Sequence, residues 1–206
     1  GLADVAGDGR VDLRHQPPVV LVPVRDEHAE QGRVIAGGEA GSDFDRVDLS
    51  SQGVGVTVGF TGNEAGAITG SGSEQIAFSE IEAFTLTAQN DVFEASSTTN
   101  GTSVNAGDGA DTLQGGSGND TLNGEAGNDS ITSGAGDDSV DAGAGNDYVW
   151  AGDGNDTVYG GLGNDSLGSG TGNNLVDGGD GNDWITAESG NDTLIGGAGS
   201  DTIFGG

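Results

Sequence analysis

The sequence predicts an all-β solenoid with two short strands in each 18-residue coil, and three features of one repeat carry this prediction. From Ala106 to Phe204 the chain repeats every nine residues through eleven units, with no insertion or deletion between them. The fourth position of every unit is Gly, the sixth is Asp in ten of the eleven, and the eighth is always aliphatic. Three columns held at one spacing indicate a supersecondary unit that stacks on copies of itself.

The composition indicates that apolar burial alone does not fold this chain. Only 32% of the 206 residues are hydrophobic and 43 are Gly, so little apolar surface is available to offset the chain entropy. The formal net charge is −29 at pH 7, and residues 105–206 include 18 acidic and no basic side chains. Nucleic acid and anionic membranes are therefore disfavoured as partners, whereas a multivalent cation is favoured. The absence of Cys excludes disulfides and thiolate metal sites. No apolar run approaches transmembrane length, so we expect no membrane insertion by this chain.

Residues 1–33 are interpreted as an N-terminal segment and linker with a candidate calcium loop. Asp4, Asp8 and Asp12 are spaced four apart with Gly in the turn, which places oxygen ligands at regular loop positions. The loop resembles those of FG-GAP or VCBS repeats and, more distantly, an EF-hand loop, although Ala6 stands where that pattern has Asn or Asp. A polar turn leading into a strand is an equally good interpretation.

Residues 34–104 predict an irregular β-solenoid cap that contains decayed repeats. Val54 to Phe60 alternates Gly with apolar residues, which is the period-two pattern of a strand. Asp91 stands at the Asp position of a decayed unit but precedes Asp111 by 20 residues, two more than two units. We therefore expect residues 96–100 to form a loop. Atypical terminal repeats are expected in a solenoid, because one face of the first coil has no neighbour.

Each unit of the regular part divides into a turn and a strand. Positions one to six are rich in Gly, and the Gly at position four predicts a positive φ. Positions seven to nine form a short strand whose eighth side chain points inward. Two units close one coil, and coils stack about 4.8 Å apart.

Stacking brings Asp side chains from turns 18 residues apart close together. Carboxylates at that distance repel, which raises their pKa values unless a cation lies between them. With oxygen ligands only, and with neither Cys nor a column of His, the sequence favours calcium over zinc or copper. Magnesium is less favoured because it demands stricter octahedral geometry.

The unit G-G-x-G-x-D-x-U-x, where U is aliphatic, resembles the RTX (hemolysin-type) calcium-binding repeat. The resemblance covers residues 105–206 and implies a right-handed parallel β-roll that binds calcium between turns two units apart. It also implies a secreted, extracellular bacterial protein that is exported by type I secretion and folds on calcium. Transferred by column, the ligands form two rows that allow up to nine Ca²⁺ sites, five in the first row and four in the second. The first row is Asp111, Asp129, Asp147, Asp165, Asp183 and Asp201, and the second is Asp120, Asp138, Asp156, Asn174 and Asp192.

Two features depart from the repeat pattern. Asn174 supplies a neutral oxygen where a carboxylate is expected, which predicts weaker sites toward both Asp156 and Asp192. Glu125 and Glu188 replace the second Gly of their units, and each either strains the turn or adds a carboxylate at its rim.

An enzyme is the main alternative class of function. The sequence contains neither His-Glu-x-x-His nor Gly-x-Ser-x-Gly, and it has two His, so no catalytic residue is predicted within it. The chain starts without Met and ends inside a repeat, so we expect a fragment of a longer protein, whose catalytic domain, if any, lies outside this chain. A non-catalytic module of a secreted protease, lipase or polysaccharide-modifying enzyme is one alternative. A surface-recognition or adhesin segment is another.

Three aromatic residues are predicted to project outward on alternate coils of one sheet. Tyr148, Trp150 and Trp184 occupy positions seven or nine, with Ser166 and Gly168 between them. Aromatic rings two strand spacings apart, about 10 Å, would stack a sugar ring or anchor a protein partner. The alternative is that they pack on the N-terminal segment or on a neighbouring domain.

Overall fold

The computed structural model describes residues 10–12, 19–20, 33–36, 46–50, 52–62, 65–70, 75–79 and 81–206. Within these residues the ordered elements are β-strands joined by turns, which confirms the predicted all-β class. No helix in this part of the chain is long and apolar enough to cross a membrane.

The strands form two sheets. The first has twelve strands in the spatial order β1 (Arg10–Asp12), β3 (Arg33–Ala36), β7 (Gln75–Ser79), β6 (Ala65–Thr69), β5 (Thr57–Phe60), β9 (Val92–Glu94), β11 (Thr112–Gln114), β13 (Ser130–Ala135), β15 (Tyr148–Asp153), β17 (Ser166–Gly168), β19 (Trp184–Thr186) and β21 (Thr202–Phe204). The second has nine in the order β2 (Val19–Val20), β4 (Arg46–Asp48), β8 (Ala83–Thr85), β10 (Ser103–Asn105), β12 (Thr121–Asn123), β14 (Ser139–Ala144), β16 (Thr157–Leu162), β18 (Leu175–Asp180) and β20 (Thr193–Ile195).

From β10 onward the chain alternates between the two sheets and forms stacked coils. Each strand pairs in parallel with the strand 18 residues away: Leu113 lies beside Ile131 in the first sheet, and Leu122 lies beside Val140 in the second. The result is a β-solenoid of about seven turns, spaced about 18 residues apart. The predicted coil of two units is therefore confirmed.

The core of the regular roll consists of the position-eight side chains of the two sheets. From Leu113 to Ile185 each of these side chains is at most 1% exposed. Positions seven and nine point outward, as the alternating burial of β11 and β12 shows. Burying one Leu, Ile or Val stabilises the fold by about 1.5–3 kcal/mol. With only one such large side chain in every nine residues, the hydrophobic contribution to stability is small for a chain of this length.

The N-terminal strands continue the same two sheets but do not all follow the solenoid path. β5 pairs in parallel with β9, and β4 pairs in parallel with β8, so the described part of the predicted cap stacks on the roll. β5, β6 and β7, however, form an antiparallel meander, which the sequence did not predict. Phe60, Phe84 and Phe93 fill the core at this end, with ring centroids 5.4 to 5.7 Å apart.

The two extra residues between Asp91 and Asp111 lie in the turn that joins β9 to β10. Residues 96 and 97 form this turn, and the Thr98 N–H donates to the Ala95 carbonyl at 2.9 Å to close it. β9 and β11 nevertheless pair in parallel, with Phe93 beside Leu113. The predicted loop at residues 96–100 thus leaves the stacking of the coils intact.

Positive φ angles occur where the repeat has its invariant Gly. Position four has a positive φ in ten of the eleven units, with Gly118 as the exception. Position two also adopts positive φ in most units, and there Glu125 has φ +70°. A left-handed conformation costs an L-residue roughly 1–2 kcal/mol, so Glu125 strains its turn. Its side chain is exposed, which places the carboxylate at the surface of the turn.

Candidate metal centre

The position-six side chains form two hydrogen-bonded ladders along the roll. In each ladder the backbone N–H of one member donates to Oδ1 of the member 18 residues later, as from Asp111 to Asp129 at 2.8 Å. The first ladder runs through Asp111, Asp129, Asp147, Asp165, Asp183 and Asp201. The second runs through Asp120, Asp138, Asp156, Asn174 and Asp192. The structure thus brings together the members of each row that the sequence predicted.

Most of these carboxylates bury one oxygen that has no protein partner. Except toward the C-terminal end, the ladder side chains are at most 3% exposed. Oδ2 is buried and accepts no hydrogen bond in seven of them: Asp111, Asp129, Asp147, Asp165 and Asp183 in the first ladder, and Asp138 and Asp156 in the second. Burying an anionic oxygen without a partner is costly. A repeated set of such atoms is what a row of cation sites requires.

Three of the unpaired oxygens, those of Asp129, Asp165 and Asp183, lie near main-chain carbonyls of the following coil. A Cβ built on Gly124 would lie 2.4 Å from Oδ2 of Asp129 and 2.4 Å from the carbonyl oxygen of Ala142, and the same arrangement recurs at Gly178. Oxygen atoms from two coils therefore converge on one space, which is the type of donor set that Ca²⁺ prefers. No three acidic or His side chains cluster within the described residues. Carbonyl oxygens must then complete any coordination shell.

Burial raises the pKa values of the ladder carboxyls. Desolvation is the largest cause, and it raises the pKa of Asp111 from 3.8 to about 7 and those of Asp138 and Asp147 to about 6. The ladder N–H groups oppose this rise, and repulsion from ladder neighbours adds to it. Burial also raises the pKa values of Asp129, Asp156, Asp165 and Asp183. The expected rise is present, but its main cause is burial and not the repulsion that the sequence suggested.

Without calcium, the roll is expected to be more stable at acid pH than at neutral pH. A carboxyl whose pKa is raised by folding binds its proton more tightly in the folded chain, so its stabilising effect is lost as pH rises through the folded pKa. For Asp111 this window extends from its ordinary value of 3.8 to about 7. In excess chelator, the β-sheet circular dichroism should therefore increase as pH falls from about 7.5 to about 4.5. A chelated chain whose β signal falls steadily over the same range would contradict this assignment.

Asn174 keeps the hydrogen bonds of the second ladder but lacks the second carboxylate oxygen. Its Oδ1 accepts the N–H of Asp156 at 2.8 Å, so the ladder bond is kept. Its Nδ2 then stands where other members have Oδ2, and this nitrogen is buried without an acceptor. An amide nitrogen cannot ligate a cation. Because Oδ2 of Asp129, Asp165 and Asp183 faces the following coil, we expect the missing oxygen ligand to affect the space toward Asp192. The space toward Asp156 keeps that residue's own Oδ2.

The first members of the two ladders differ from the rest. Asp91 extends the first ladder, since its N–H donates to Oδ1 of Asp111 at 2.7 Å. Both oxygens of Asp91 accept hydrogen bonds, from the N–H groups of Val56 and Thr87 at 2.6 and 2.7 Å. In the second ladder, Oδ2 of Asp120 accepts the Gly116 N–H at 2.9 Å. These two carboxylates are satisfied by the protein itself.

The remaining candidate ligands lie at the ends of the chain. Asp192 and Asp201 belong to the ladders but are only half-buried. Asp4 and Asp8 lie outside the described residues, and Asp12 belongs to β1, where only the backbone is described. The N-terminal calcium loop therefore stays a prediction.

Position five forms another kind of ladder, which sequence reasoning missed. The backbone N–H and Nδ2 of Asn164 donate to Oδ1 of Asn146, at 2.7 and 3.1 Å, and the pattern repeats along the exposed side of the turns. Here the later residue donates to the earlier one, opposite to the Asp ladders. The recurrent Asn in this column was the signal that could have predicted it. These amide oxygens stabilise the stack and are not free surface groups.

A family comparison agrees with the period of these ladders. Residues 105–140, 132–167 and 168–203 match a model of four copies of the RTX calcium-binding nonapeptide repeat. Residues 105–203 belong to the RTX repeat family. RTX repeats bind calcium, so this part of the chain is a calcium-binding RTX β-roll. No curated protein matches the chain significantly.

Proposed function

We propose that the chain is a calcium-dependent folding module of a secreted bacterial protein, with Ca²⁺ held between successive coils of the RTX roll. The observation that carries this proposal is the set of seven buried Oδ2 atoms that lack a protein partner. Those of Asp129, Asp165 and Asp183 lie near main-chain carbonyls of the following coil. Calcium takes six to eight oxygen ligands in flexible geometry. The role of the protein is to hold the Asp oxygens of two coils and the adjacent carbonyls within reach of one ion.

Calcium is proposed to supply the stability that the apolar core lacks. The chain carries a net charge of −29 and places a column of carboxylates out of water along each row of turns. Without a cation, each ionised member opposes folding through desolvation and through repulsion from its neighbours. Because the ligands come together only when the coils stack, the free energy of calcium binding contributes directly to folding.

We propose that the sites are unequal. In the first ladder, each of the five spaces from Asp111 to Asp201 has an unpaired Oδ2, whereas in the second only Asp138 and Asp156 offer one. The Ser133 hydroxyl, which donates to the Ala151 carbonyl at 2.8 Å, shares the space beside Asp138. We therefore expect seven of the nine predicted sites to bind calcium tightly.

Calcium-dependent folding also suits export of the chain in an unfolded state. At low calcium inside the cell, the acidic chain would stay unfolded and suited to export as an extended polypeptide. At high calcium outside, ion binding would drive the coils to stack. Calcium would thus couple folding of the roll to its arrival outside the cell.

Replacing Asn174 with Asp is expected to add one tightly bound calcium ion. The new Oδ2 would occupy the position where Nδ2 now lies unpaired, toward Asp192. Calorimetric titration should show one more ion per chain, and thermal unfolding in saturating calcium should show a gain of about 1–3 kcal/mol. In excess chelator the same variant should be less stable than the parent chain, because it adds a buried carboxylate.

Asn173→Asp is the matched control. It introduces the same charge one residue earlier, at exposed position five, where Asp137 already occurs in another unit. This variant should bind the parent number of ions. If Asn174→Asp adds no ion, or if Asn173→Asp adds one as well, then the position-six ladder is not the calcium site.

A further inference from the structure

The outward side of the first sheet has exposed aromatic rings that calcium binding does not use. Tyr148 and Trp184 are 53% and 50% exposed, and Phe204 is 51% exposed. Trp150 is half-buried on the same side. We refer to Tyr148, Trp150, Trp184 and Phe204 as the aromatic face. The alternative that these rings pack on the N-terminal segment involves residues that lie largely outside the described part of the chain.

The strand register sets the spacing of the rings. Tyr148, Ser166 and Trp184 lie side by side on β15, β17 and β19. The Tyr148 and Trp184 side chains are therefore two strand spacings apart, about 10 Å. The second row contains Trp150, Gly168, Thr186 and Phe204.

Two contacts fix the orientation of the indole rings. A Cβ built on Gly168 would lie 2.4 Å from Cε3 and 2.7 Å from Cζ3 of Trp150, so this ring lies against the sheet where the side chain is absent. Trp184 packs against Phe204, with ring centroids 5.0 Å apart. Both indoles are thus supported by the fold before any ligand arrives, which lowers the entropy cost of binding.

The aromatic face is uncharged, which is unusual for this chain. Positions seven and nine of β11 through β21 contain Thr, Gln, Ser, Gly and the four aromatic residues, but no acidic or basic side chain. The second sheet, in contrast, has Asp141 and Asp177 at position nine. On a chain with a net charge of −29, this uncharged strip suits a neutral ligand and has no basic group to attract an anion.

The strip is narrow, and this limits the type of partner. Exposed Asp153 is the last residue of β15, and exposed Asp180 is the last residue of β18, four residues before β19 begins, so acidic groups flank the rings on both sides. A stable protein–protein interface usually buries about 800 Å² on each partner, which would extend the contact onto these acidic turns. A single polysaccharide chain needs only the strip itself.

We propose that the aromatic face binds a neutral, extended glycan of the β-1,4-linked glucan type. The flat C–H surface of a pyranose ring packs on an aromatic ring as other apolar groups do. Rings stacked on Tyr148 and Trp184 would leave the intervening sugar hydroxyls over Ser166, with Thr186 in the adjacent row. The in-register row from Tyr148 through Ser166 to Trp184 matches an extended sugar chain.

Titration of the calcium-loaded full chain with cellohexaose tests this proposal. The only two Trp residues of the sequence, Trp150 and Trp184, both belong to the aromatic face, so intrinsic fluorescence reports binding directly. We expect a saturable change in Trp emission. Trp184→Ala and Tyr148→Ala should each weaken the affinity about tenfold, equivalent to about 1.4 kcal/mol.

Tyr159→Ala is the control, because Tyr159 is 43% exposed on the second sheet. It should keep the parent affinity, and all three variants should keep the parent calcium binding and circular dichroism. Absence of an emission change with cellohexaose, or an equal loss in Tyr159→Ala, would overturn the proposal. So would self-association that is abolished by Trp184→Ala in sedimentation, since that result would assign the aromatic face to a second copy of the chain. Calcium binding is measured separately, so failure of glycan binding leaves the proposed calcium function untouched.

Discussion

Replacing Asp147 with Asn is expected to destabilise the calcium-loaded roll and to stabilise the calcium-free one. Asp147 lies in the middle of the first ladder, where its Oδ1 accepts the Asp129 N–H at 2.8 Å and its Oδ2 is buried and unpaired. Asn keeps the ladder bond through its own Oδ1 but places an NH₂ group where the second oxygen was, as Asn174 does. In calcium, we expect the loss of at least one bound ion and of about 1–3 kcal/mol in the free energy of unfolding.

The more specific part of this prediction is that the same substitution should increase stability when calcium is removed by chelator. Burial raises the pKa of Asp147 to about 6, so at neutral pH the side chain is ionised against the preference of its surroundings. Replacing it with a neutral amide removes that cost, and the calcium-free variant should be more stable than the parent chain. Thermal unfolding in saturating calcium measures the loss. Circular dichroism in excess chelator measures the gain, since the variant should acquire β-sheet signal at a higher pH than the parent chain as pH falls from about 7.5 to about 4.5.

Asp153→Asn provides the matched control for Asp147→Asn. Asp153 is an exposed acidic residue at the end of β15 and is not a member of either ladder. Its removal should change unfolding by less than about 0.5 kcal/mol in either condition. If both variants behave alike, the effect comes from net charge and not from a bound ion.

Gly145→Ala is expected to cause the largest loss of stability among single substitutions in the turns. Gly145 has φ +153°, and an added Cβ would lie 1.4 Å from the carbonyl oxygen of Gly127 in the preceding coil. The atom that it meets is backbone, so neither partner can move without separating the two coils. We expect a loss of about 3 kcal/mol or more from strain and overpacking together. Chemical denaturation in saturating calcium measures it.

Gly59→Ala is the control for Gly145→Ala, because a Cβ at Gly59 would meet nothing within 4 Å and its φ is not positive. It should leave the unfolding midpoint within about 0.5 kcal/mol of the parent value. A Gly145→Ala chain that unfolds at the parent midpoint would show that the coils can separate locally at little cost. That result would contradict the close stacking on which the calcium sites depend.

The architecture of the roll could be predicted from the sequence because a strict period leaves few alternatives. Gly and an aliphatic residue are fixed in every unit, and Asp in ten of the eleven, so one coil must repeat the next. This places Asp111 beside Asp129 whatever the detailed path of the turn. The positive φ of position four followed from the same argument. The antiparallel meander of β5 to β7 has no such repeat, so its pairing depends on tertiary context that a single sequence does not reveal.

The different roles of the two oxygen atoms of each Asp carboxylate could not be predicted from the repeat. The spacing shows that Asp side chains converge, but not that Oδ1 accepts a backbone N–H while Oδ2 faces the next coil. This distinction changes the prediction at Asn174, from two weakened neighbours to one interrupted space toward Asp192. It also separates Asp91, whose oxygens are both satisfied, from the members that follow. Such differences arise from hydrogen-bond geometry, which residue identity alone does not determine.

Circular dichroism of the chain in excess chelator at neutral pH, followed by addition of calcium, tests the central claim most directly. We predict little β-sheet signal in chelator, a cooperative gain on adding Ca²⁺, loss of the signal when chelator is restored, and no comparable gain with the same concentration of Mg²⁺. A full β-sheet spectrum in excess chelator, unchanged by calcium, would contradict the claim that bound calcium folds the roll.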